Sequence, residues 1–385
     1  MLKVFEDTKV IYTFFTTKNR EIKMNLRSII KTTLISALLL GTSAFADFKP
    51  VRIAHYTGVL CSAPVHVAWL KGYFDEEFKK IGQKFEMVPV DAGKNSVNEL
   101  IVAGKVDAGN DLLATELQPI QNGLPIVFVT GVHTGCTKYY VTKKSTIQKL
   151  EDLKGRKTKV GVIGLSDSSV MSFRRKLRDL GIVADGPEAD VEFIVYGASD
   201  LPIALEKGAV DIIALHDPTA ATAEKEYGLR KLLDTAIDPK FAVEYCCVAF
   251  VTLKLWKENP EGAAAYTRAV ARGSAFVNSN PREAARLQLS KDVVSGSEEF
   301  NAQLLESYGH IPSRKAALRT FNIVAAELQK TGVLKKKLNI EKFVKSHFAD
   351  FESKGIKIPD GYSYDKATDK FTENFEEPKS LVKNI

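Results

Sequence analysis

The sequence predicts an α/β protein with two lobes and a helical C-terminal region. Strand-like and helix-like segments alternate from Val51 onward, the same order starts again after Gly155, and residues 260–351 have an almost wholly helical pattern. Strands that alternate with helices are typical of a largely parallel sheet, because each helix carries the chain back across the sheet. These three observations predict two α/β units followed by helices.

The first unit starts with a strand at 51–56, a polar loop (TGVLCSAP) and a helix at 64–71. FEMVPV is a strand, and Ser96 with Glu99 forms a capping-box pattern that opens a short helix. VDAGND is a short strand and turn, LLATELQPIQNG a helix, and IVFVTGV a buried strand. Each strand therefore leads through a polar loop or turn toward a helix.

The second unit repeats this order. KVGVIG is a strand, residues 166–169 precede an amphipathic helix that reaches Leu180, and VEFIVY is a strand. LPIALEKG is a helix, VDIIALHD a strand, residues 218–227 a helix, and RKLLD follows. In the C-terminal region Pro260, Pro281 and Pro312 stand near predicted helix starts.

The N-terminal residues predict export. From Met24, which we expect to be the natural start, a basic flank precedes a short apolar stretch and the small-residue pattern Ala44-Phe45-Ala46. This pattern is typical of a secretory signal peptide, so we expect residues 1–46 to comprise an upstream extension and a signal peptide cleaved after Ala46. The protein is then expected in the periplasm, and its four cysteines, all after the cleavage site, are in a compartment that permits disulfides.

The net charge of the exported chain does not indicate a nucleic-acid-binding protein. The full sequence has a net charge of +7, and removal of residues 1–46 leaves 47 basic and 44 acidic residues, a net charge of +3. Such a balance does not favour nucleic acid or an anionic membrane as partner.

Several segments resemble a known family. SAPVHVAWLKGYFDEEFKKIG, ELIVAGKVDAGN, ALEKGAVDIIALHDPTAATAEKEYG and NPEGAAAYTRAVARGSAFVNSNPREAARL are similar, in this order, to segments of the periplasmic solute-binding proteins of ABC importers for nitrate, sulfonates, taurine and thiamine-precursor pyrimidines. The resemblance spans about residues 51–351. It implies a type II periplasmic binding protein fold, in which two lobes joined by two crossing strands hold a solute between them.

The resemblance also implies domain boundaries. The first lobe would comprise 47–137 and 250–351, the second lobe 145–242, and the hinge strands 138–144 and 243–249. Residues 352–385 would form a polar tail, extended or partly ordered.

The implied function is capture of a small-molecule ligand by lobe closure and delivery to an ABC permease in the inner membrane. We expect a monomer without a cofactor, and not an enzyme. Two alternatives stay open: binding of a transition metal or metal complex, and an enzyme of the same fold that resembles the synthases of the thiamine pyrimidine.

The cysteines allow three interpretations. Neighbours in EYCCVAFV point to opposite faces of a strand, so Cys246 and Cys247 cannot both fill one core. Cys136 on one crossing could form a disulfide with either of them, or Cys61 could approach Cys136. In the third interpretation the thiolates hold a soft metal, with His55, His133, Cys136 and His216 as the candidate ligands. The alternative for each histidine is a hydrogen bond to the backbone.

The candidate ligand-binding residues lie at strand ends and helix N-termini, where open α/β sheets bind ligands. Several carboxylates with no evident arginine among them favour a neutral, zwitterionic, cationic or metal-containing ligand over a simple anion. The predicted set is His55, Tyr56, Thr57, Cys61, Ser62, Asn95, Ser96, Asp111, His133, Cys136, Ser168, Ser169, His216, Asp217, Glu244 and Tyr245.

Overall fold

The computed structural model describes residues 49–91, 96–165 and 167–382. The predicted signal peptide and the predicted site residue Asn95 lie outside these residues. Within the described part of the chain, no helix is long and apolar enough to cross a membrane.

The described residues form twelve strands and thirteen α-helices. The strands are β1 (Val51–Thr57), β2 (Phe85–Asp91), β3 (Ala108–Leu112), β4 (Ile126–Thr134), β5 (Thr137–Val141), β6 (Thr158–Val162), β7 (Val191–Val195), β8 (Ile212–His216), β9 (Arg230–Asp234), β10 (Tyr245–Thr252), β11 (Gly361–Asp365) and β12 (Lys370–Asn374). The helices are α1 (Ala63–Leu70), α2 (Tyr73–Lys80), α3 (Val97–Val102), α4 (Leu113–Gln121), α5 (Ser168–Asp179), α6 (Leu201–Glu206), α7 (Thr219–Glu226), α8 (Leu253–Glu258), α9 (Pro260–Ser279), α10 (Pro281–Leu289), α11 (Glu298–Ser307), α12 (Arg314–Lys330) and α13 (Ile340–Ser346).

Two five-stranded sheets organise these elements. The first has the order β2-β1-β3-β10-β4, and the second the order β7-β6-β8-β5-β9. In each sheet three strands are parallel: β1 pairs in parallel with β2 and β3, and β6 with β7 and β8. In each sheet one antiparallel strand, β10 or β5, lies beside this parallel part. The predicted α/β class is confirmed, with two mixed sheets.

The chain passes between the sheets twice. Residues 135–136 link β4 to β5, and residues 235–244 link β9 to β10. The predicted hinge strands lie largely in β5 and β10, and each of these strands is hydrogen-bonded within one sheet. The predicted lobe and hinge boundaries stay a prediction.

The helix α9 packs against α1 and covers the first sheet. It begins with Pro260 after Asn259, whose side chain accepts a hydrogen bond from the Gly262 N–H, a favourable start for a helix. A Cβ at Gly273 would lie 2.1 Å from the carbonyl oxygen of Pro64, so only glycine lets the two helices approach this closely.

The C-terminal segment is more ordered than the predicted polar tail. β11 and β12 form an antiparallel hairpin, and the Tyr362 side chain packs on Ala271 and Ala275 of α9. Arg272 lies over the Phe371 ring at 4.8 Å from its centroid. Aromatic side chains scattered among charged residues thus supply enough apolar contact to hold the hairpin against α9.

Candidate functional site

A cavity of about 470 Å³ lies where the carboxyl ends of parallel strands from both sheets meet. The first sheet contributes the ends of β1, β2 and β3, and the second contributes the end of β8 and the residue after β6. This edge is where open α/β sheets bind ligands, because strands end there and loops supply free polar groups. Its wall consists of Tyr56, Thr57, Gly58, Val59, Cys61, Asp91, Asn110, Asp111, Leu112, Ile163, Ala198, Leu215, His216, Asp217, Pro218, Thr219 and Cys247.

The cavity brings together only part of the predicted set. The predicted residues that line it are Tyr56, Thr57, Cys61, Asp111, His216 and Asp217. Asn110 and Cys247 also line it, although the predicted set omits them. Asn110 stands near the carboxyl end of β3, a position that could have indicated it, whereas no local pattern indicated Cys247.

Tyr56 and Asp111 form a hydrogen-bonded pair in the wall. The Tyr56 hydroxyl donates to Asp111 Oδ2 at 2.8 Å. Burial raises the pKa of the Asp111 carboxyl to about 6, and hydrogen bonds from Tyr56 and from the Leu112 N–H oppose this rise. Near neutral pH this carboxylate is therefore poised to gain or lose a proton when a charged group approaches.

Ser62 joins β1 to β3 behind the wall. Its hydroxyl donates to Asn110 Oδ1 at 3.0 Å and accepts a hydrogen bond from the Tyr56 N–H at 3.3 Å. The side chain is fully buried. Ser62 thus holds Tyr56 and Asn110 in position and does not line the cavity.

His55 belongs to a buried chain of neutral groups. Gln288 Nε2 donates to His66 Nδ1 at 2.9 Å, and His66 Nε2 lies 3.3 Å from His55 Nδ1. Burial lowers the pKa of His55 to about 4, and burial, with repulsion between the two rings once His55 is protonated, lowers that of His66 to about 3. His55 does not line the cavity because it points to the face of β1 opposite to Tyr56.

The four cysteines converge, and all four are free thiols. Cys136 Sγ lies 3.9 Å from Cys61 Sγ and 3.2 Å from Cys246 Sγ. The first of the three interpretations, a disulfide from Cys136, is therefore not observed, although Cys136 lies close to Cys246 and also, as in the second interpretation, close to Cys61. Hydrogen bonds from neighbouring thiols, Cys136 first among them, hold the pKa values of Cys61 and Cys246 well below the usual range.

The adjacent cysteines of β10 face different spaces. Cys247 is buried and lines the cavity of about 470 Å³. Cys246 lines a second cavity, of about 40 Å³, together with the predicted residues Ser168, Glu244 and Tyr245. The two side chains thus reach different cavities, although both pack against the same hydrophobic core and the register of β10 is irregular at this point.

His216 is paired with a carboxylate at the end of β8. Its Nε2 lies 3.0 Å from Asp167 Oδ1, and its Nδ1 lies 3.0 Å from Thr137 Oγ1. Burial by itself would lower the pKa of His216, but the Asp167 carboxylate outweighs burial and raises it to about 10. Asp167 also caps α5 by accepting from the Ser169 N–H at 2.8 Å.

Two predicted acids are paired with cations. Asp217 forms a buried ion pair with Lys138, and burial raises its pKa although Lys138 opposes the rise. Glu244 binds the Arg175 guanidinium through both oxygens, at 2.6 Å and 3.0 Å. The expectation of no arginine near these acids was wrong, because Arg175 on α5 and Glu244 are joined only by tertiary packing.

The remaining predicted residues have local roles. Ser96 is exposed, and its hydroxyl accepts from the Asn98 N–H at 3.2 Å, which caps α3. Ser169 is buried beside the start of α5, and the Tyr245 hydroxyl donates to the Ile311 carbonyl. His133 is fully buried, with Nδ1 3.2 Å from the Thr134 carbonyl oxygen.

Comparison with known proteins agrees with this architecture. A family model described as NMT1/THI5 like matches residues 61–284, which is more than half of the chain. No curated protein matches the chain.

Solved structures share the fold at low sequence identity. The aliphatic sulphonate binding protein SsuA of Escherichia coli has a TM-score of 0.60 and 17% identity, covering 77% of this chain and 91% of that one. The nitrate-binding protein NrtA of Synechocystis PCC 6803 has a TM-score of 0.60 and 13% identity, covering 80% and 87%.

A third structure was solved with a metal. The ligand-binding component of an ABC-type import system from Staphylococcus aureus, with zinc bound, has a TM-score of 0.59 and 14% identity, covering 79% of this chain and 100% of that one. The predicted resemblance and the periplasmic binding protein fold are confirmed, and the chain belongs to the NMT1/THI5-like family.

Proposed function

We propose that this protein is the exported binding component of an ABC importer and captures a small solute in the cavity between its two sheets. The observation that carries this proposal is the cavity itself: strand ends from both sheets line it. Two short connections join the sheets, so they can move relative to each other about a hinge. The similar structures of importer components support the same function.

The mechanism we propose is capture by closure. A solute first binds the wall of one sheet, and the other sheet then closes on it and displaces water. The solute stabilises the closed form only by the difference between its binding free energies for the closed and the open forms. The closed protein would then deliver the solute to an inner-membrane permease.

The cavity wall indicates which solutes fit. Asp91, Asp111 and Asp217 contribute carboxylates, and the two nearby cations are already engaged, His216 with Asp167 and Lys138 with Asp217. A simple anion would meet these carboxylates and lose the charge-assisted contacts that anion sites require. We therefore propose a neutral, zwitterionic, cationic or metal-containing solute, unlike the sulfonate and nitrate of the similar proteins.

The test combines thermal melting with small-angle X-ray scattering. Protein purified from the periplasm is tested with alkanesulfonates, nitrate, pyrimidines, amino acids and metal ions, and a true solute should raise the melting temperature and lower the radius of gyration. Leu112→Trp fills the cavity and should abolish both effects. Val102→Trp, at a side chain that is 75% exposed, is the control.

Two results would count against the proposal. A bound solute that leaves the radius of gyration unchanged would contradict closure. Chemical conversion of a bound solute would favour an enzyme of this fold.

A further inference from the structure

We infer that Cys61, His133 and Cys247 form a site for a thiophilic metal cation, Cu⁺ or Zn²⁺, at the wall of the cavity of about 470 Å³. We further infer that this cation, alone or with a small ligand, is the solute that the protein carries. The inference rests on the proposed binding function, because it names the class of solute for the same cavity.

The three ligand atoms are close enough for one ion. Cys61 Sγ, Cys247 Sγ and a ring nitrogen of His133 all lie within 4.8 Å of one another. Metal–sulfur bonds of about 2.3 Å place two sulfur ligands of one ion no more than about 4.6 Å apart. Small side-chain movements would therefore bring all three atoms to bonding distance.

Separate elements of the first sheet and its loops fix these side chains. His133 on β4 and Cys247 on β10 are opposite each other in the antiparallel register. Cys61 lies in the short 3-10 helix Leu60–Ser62 that follows β1. The ligands therefore come from a rigid part of the fold, which favours a defined coordination geometry.

His133 provides an independent indication of a ligand. Its Nδ1 lies 3.2 Å from the Thr134 carbonyl oxygen, to which an Nδ1–H donates, and the buried Nε2 has no well-directed hydrogen bond among the described residues, although the ring interacts with the neighbouring Cys61 thiol. A buried polar atom without a partner costs about 1–3 kcal/mol. Metal-binding histidines have this arrangement, with one ring N–H donated to a carbonyl and the other nitrogen on the metal.

Further contacts orient the imidazole and supply more sulfur. The His133 ring stacks on Tyr308 with centroids 5.3 Å apart. Cys136 Sγ, 3.9 Å from Cys61 Sγ, is a possible fourth ligand from the first crossing. Thiolates and imidazole select Cu⁺ and Zn²⁺ over Mg²⁺ and Ca²⁺, which prefer oxygen ligands.

The site differs from the metal ligands that the sequence suggested. Among His55, His133, Cys136 and His216, His133 belongs to it and Cys136 is a candidate fourth ligand, whereas His55 and His216 do not belong to it. His55 is hydrogen-bonded to His66, and His216 is held between Asp167 and Thr137. Cys61 and Cys247 line the cavity, so the ion would be accessible to an incoming ligand or to solvent.

The experiment measures metal binding directly. Metal-free protein in reducing buffer is titrated with Cu⁺, and separately with Zn²⁺, against a chromophoric chelator. We expect one ion per chain, and X-ray absorption should show two or three sulfur ligands and one imidazole nitrogen. Because absorption is measured on the wild-type protein, the test does not depend on how well any variant folds.

Matched variants assign the ligands. Cys247→Ala should weaken binding at least about 100-fold, more than loss of a supporting contact usually does. Cys246→Ala, the same change at the next residue of β10, should weaken it less than about 10-fold. Equal losses in the two variants, binding of neither ion, or a metal spectrum without sulfur would overturn the site.

Scattering separates this inference from the proposed function. A fall in the radius of gyration with the bound ion would support its role as cargo, and metal binding without that fall would overturn the role. If the protein binds neither ion but an organic solute lowers its radius of gyration, the metal inference is refuted and the proposed function is supported. No fall with any solute would refute the proposed function itself.

Discussion

The two sides of the cavity satisfy their polar groups differently. On the side of the second sheet, charges are paired: His216 with Asp167, and Asp217 with Lys138. On the side of the first sheet Tyr56 pairs with Asp111, but Cys61 and Cys247 are free thiols, and the buried Nε2 of His133 has no well-directed hydrogen bond among the described residues. Paired groups have little to gain from a ligand, whereas an unpaired buried donor atom gains a bond. The difference indicates that the second side maintains the fold and the first side offers the binding atoms.

The largest expected change in stability comes from breaking a charge pair on the side of the second sheet. Lys138→Met should destabilise the protein by about 3–5 kcal/mol, because it leaves the Asp217 carboxylate buried without its cation. Urea unfolding followed by circular dichroism measures the loss. The double variant Lys138→Met/Asp217→Asn removes both charges and should be more stable than the single variant. If the single variant is as stable as the wild type, the pair does not maintain the second side.

A smaller effect is expected for Asp167→Asn. Loss of the charge-assisted hydrogen bond to His216 should cost about 1.5–3 kcal/mol near pH 6. The raised pKa of His216 means that the folded state binds the proton more tightly. Its stabilisation is complete below the unfolded pKa of about 6.5 and is lost as the pH rises toward about 10.

The cost of Asp167→Asn should therefore shrink between pH 6 and pH 10. NMR titration of His216 should also show a lower pKa in the variant than in the wild type. Asp75→Asn, at an exposed site on α2, is the control. A His216 pKa that is unchanged in Asp167→Asn would show that Asp167 does not hold the charge.

The smallest expected effect concerns His55 near the first sheet, where stability should depend on pH with the opposite sign. Burial lowers the pKa of His55 to about 4, so its stabilisation is present above the unfolded pKa of about 6.5 and is lost as the pH falls. Because of His55, the free energy of unfolding of the wild type should fall by about 1 kcal/mol as the pH is lowered from about 6.5 to about 5.5. His55→Gln, which cannot titrate, should remove this part of the pH dependence in urea unfolding. An equally steep acid dependence in the variant would contradict a neutral His55.

Strand ends could be predicted from the sequence, but side-chain directions were harder to assign. Tyr56, Thr57 and Asp111 line the cavity because they stand at carboxyl ends of parallel strands. His55 was predicted beside Tyr56, yet the alternation of strand residues sends it to the other face. Its partners His66 and Gln288 come from two helices, and no local pattern relates them.

The charge partners were missed for a similar reason. Asp167 could have been found, because it precedes a predicted helix and such positions favour a capping carboxylate. Nothing local indicates that it would also meet His216. Arg175 and Glu244 lie on α5 and in the second connection, so their pairing depends on how the two units pack.

The sequence by itself determined the class of the fold, the order of its elements and the strand ends at which a solute could bind. Periodicity and turn residues carry this information because they act over a few neighbouring positions. Only the tertiary structure decided that Cys61, His133 and Cys247 lie close together. It also decided that His216 and Asp217 are each paired with an oppositely charged side chain. Such meetings depend on sheet order and strand register, which bring together residues that are far apart in the chain.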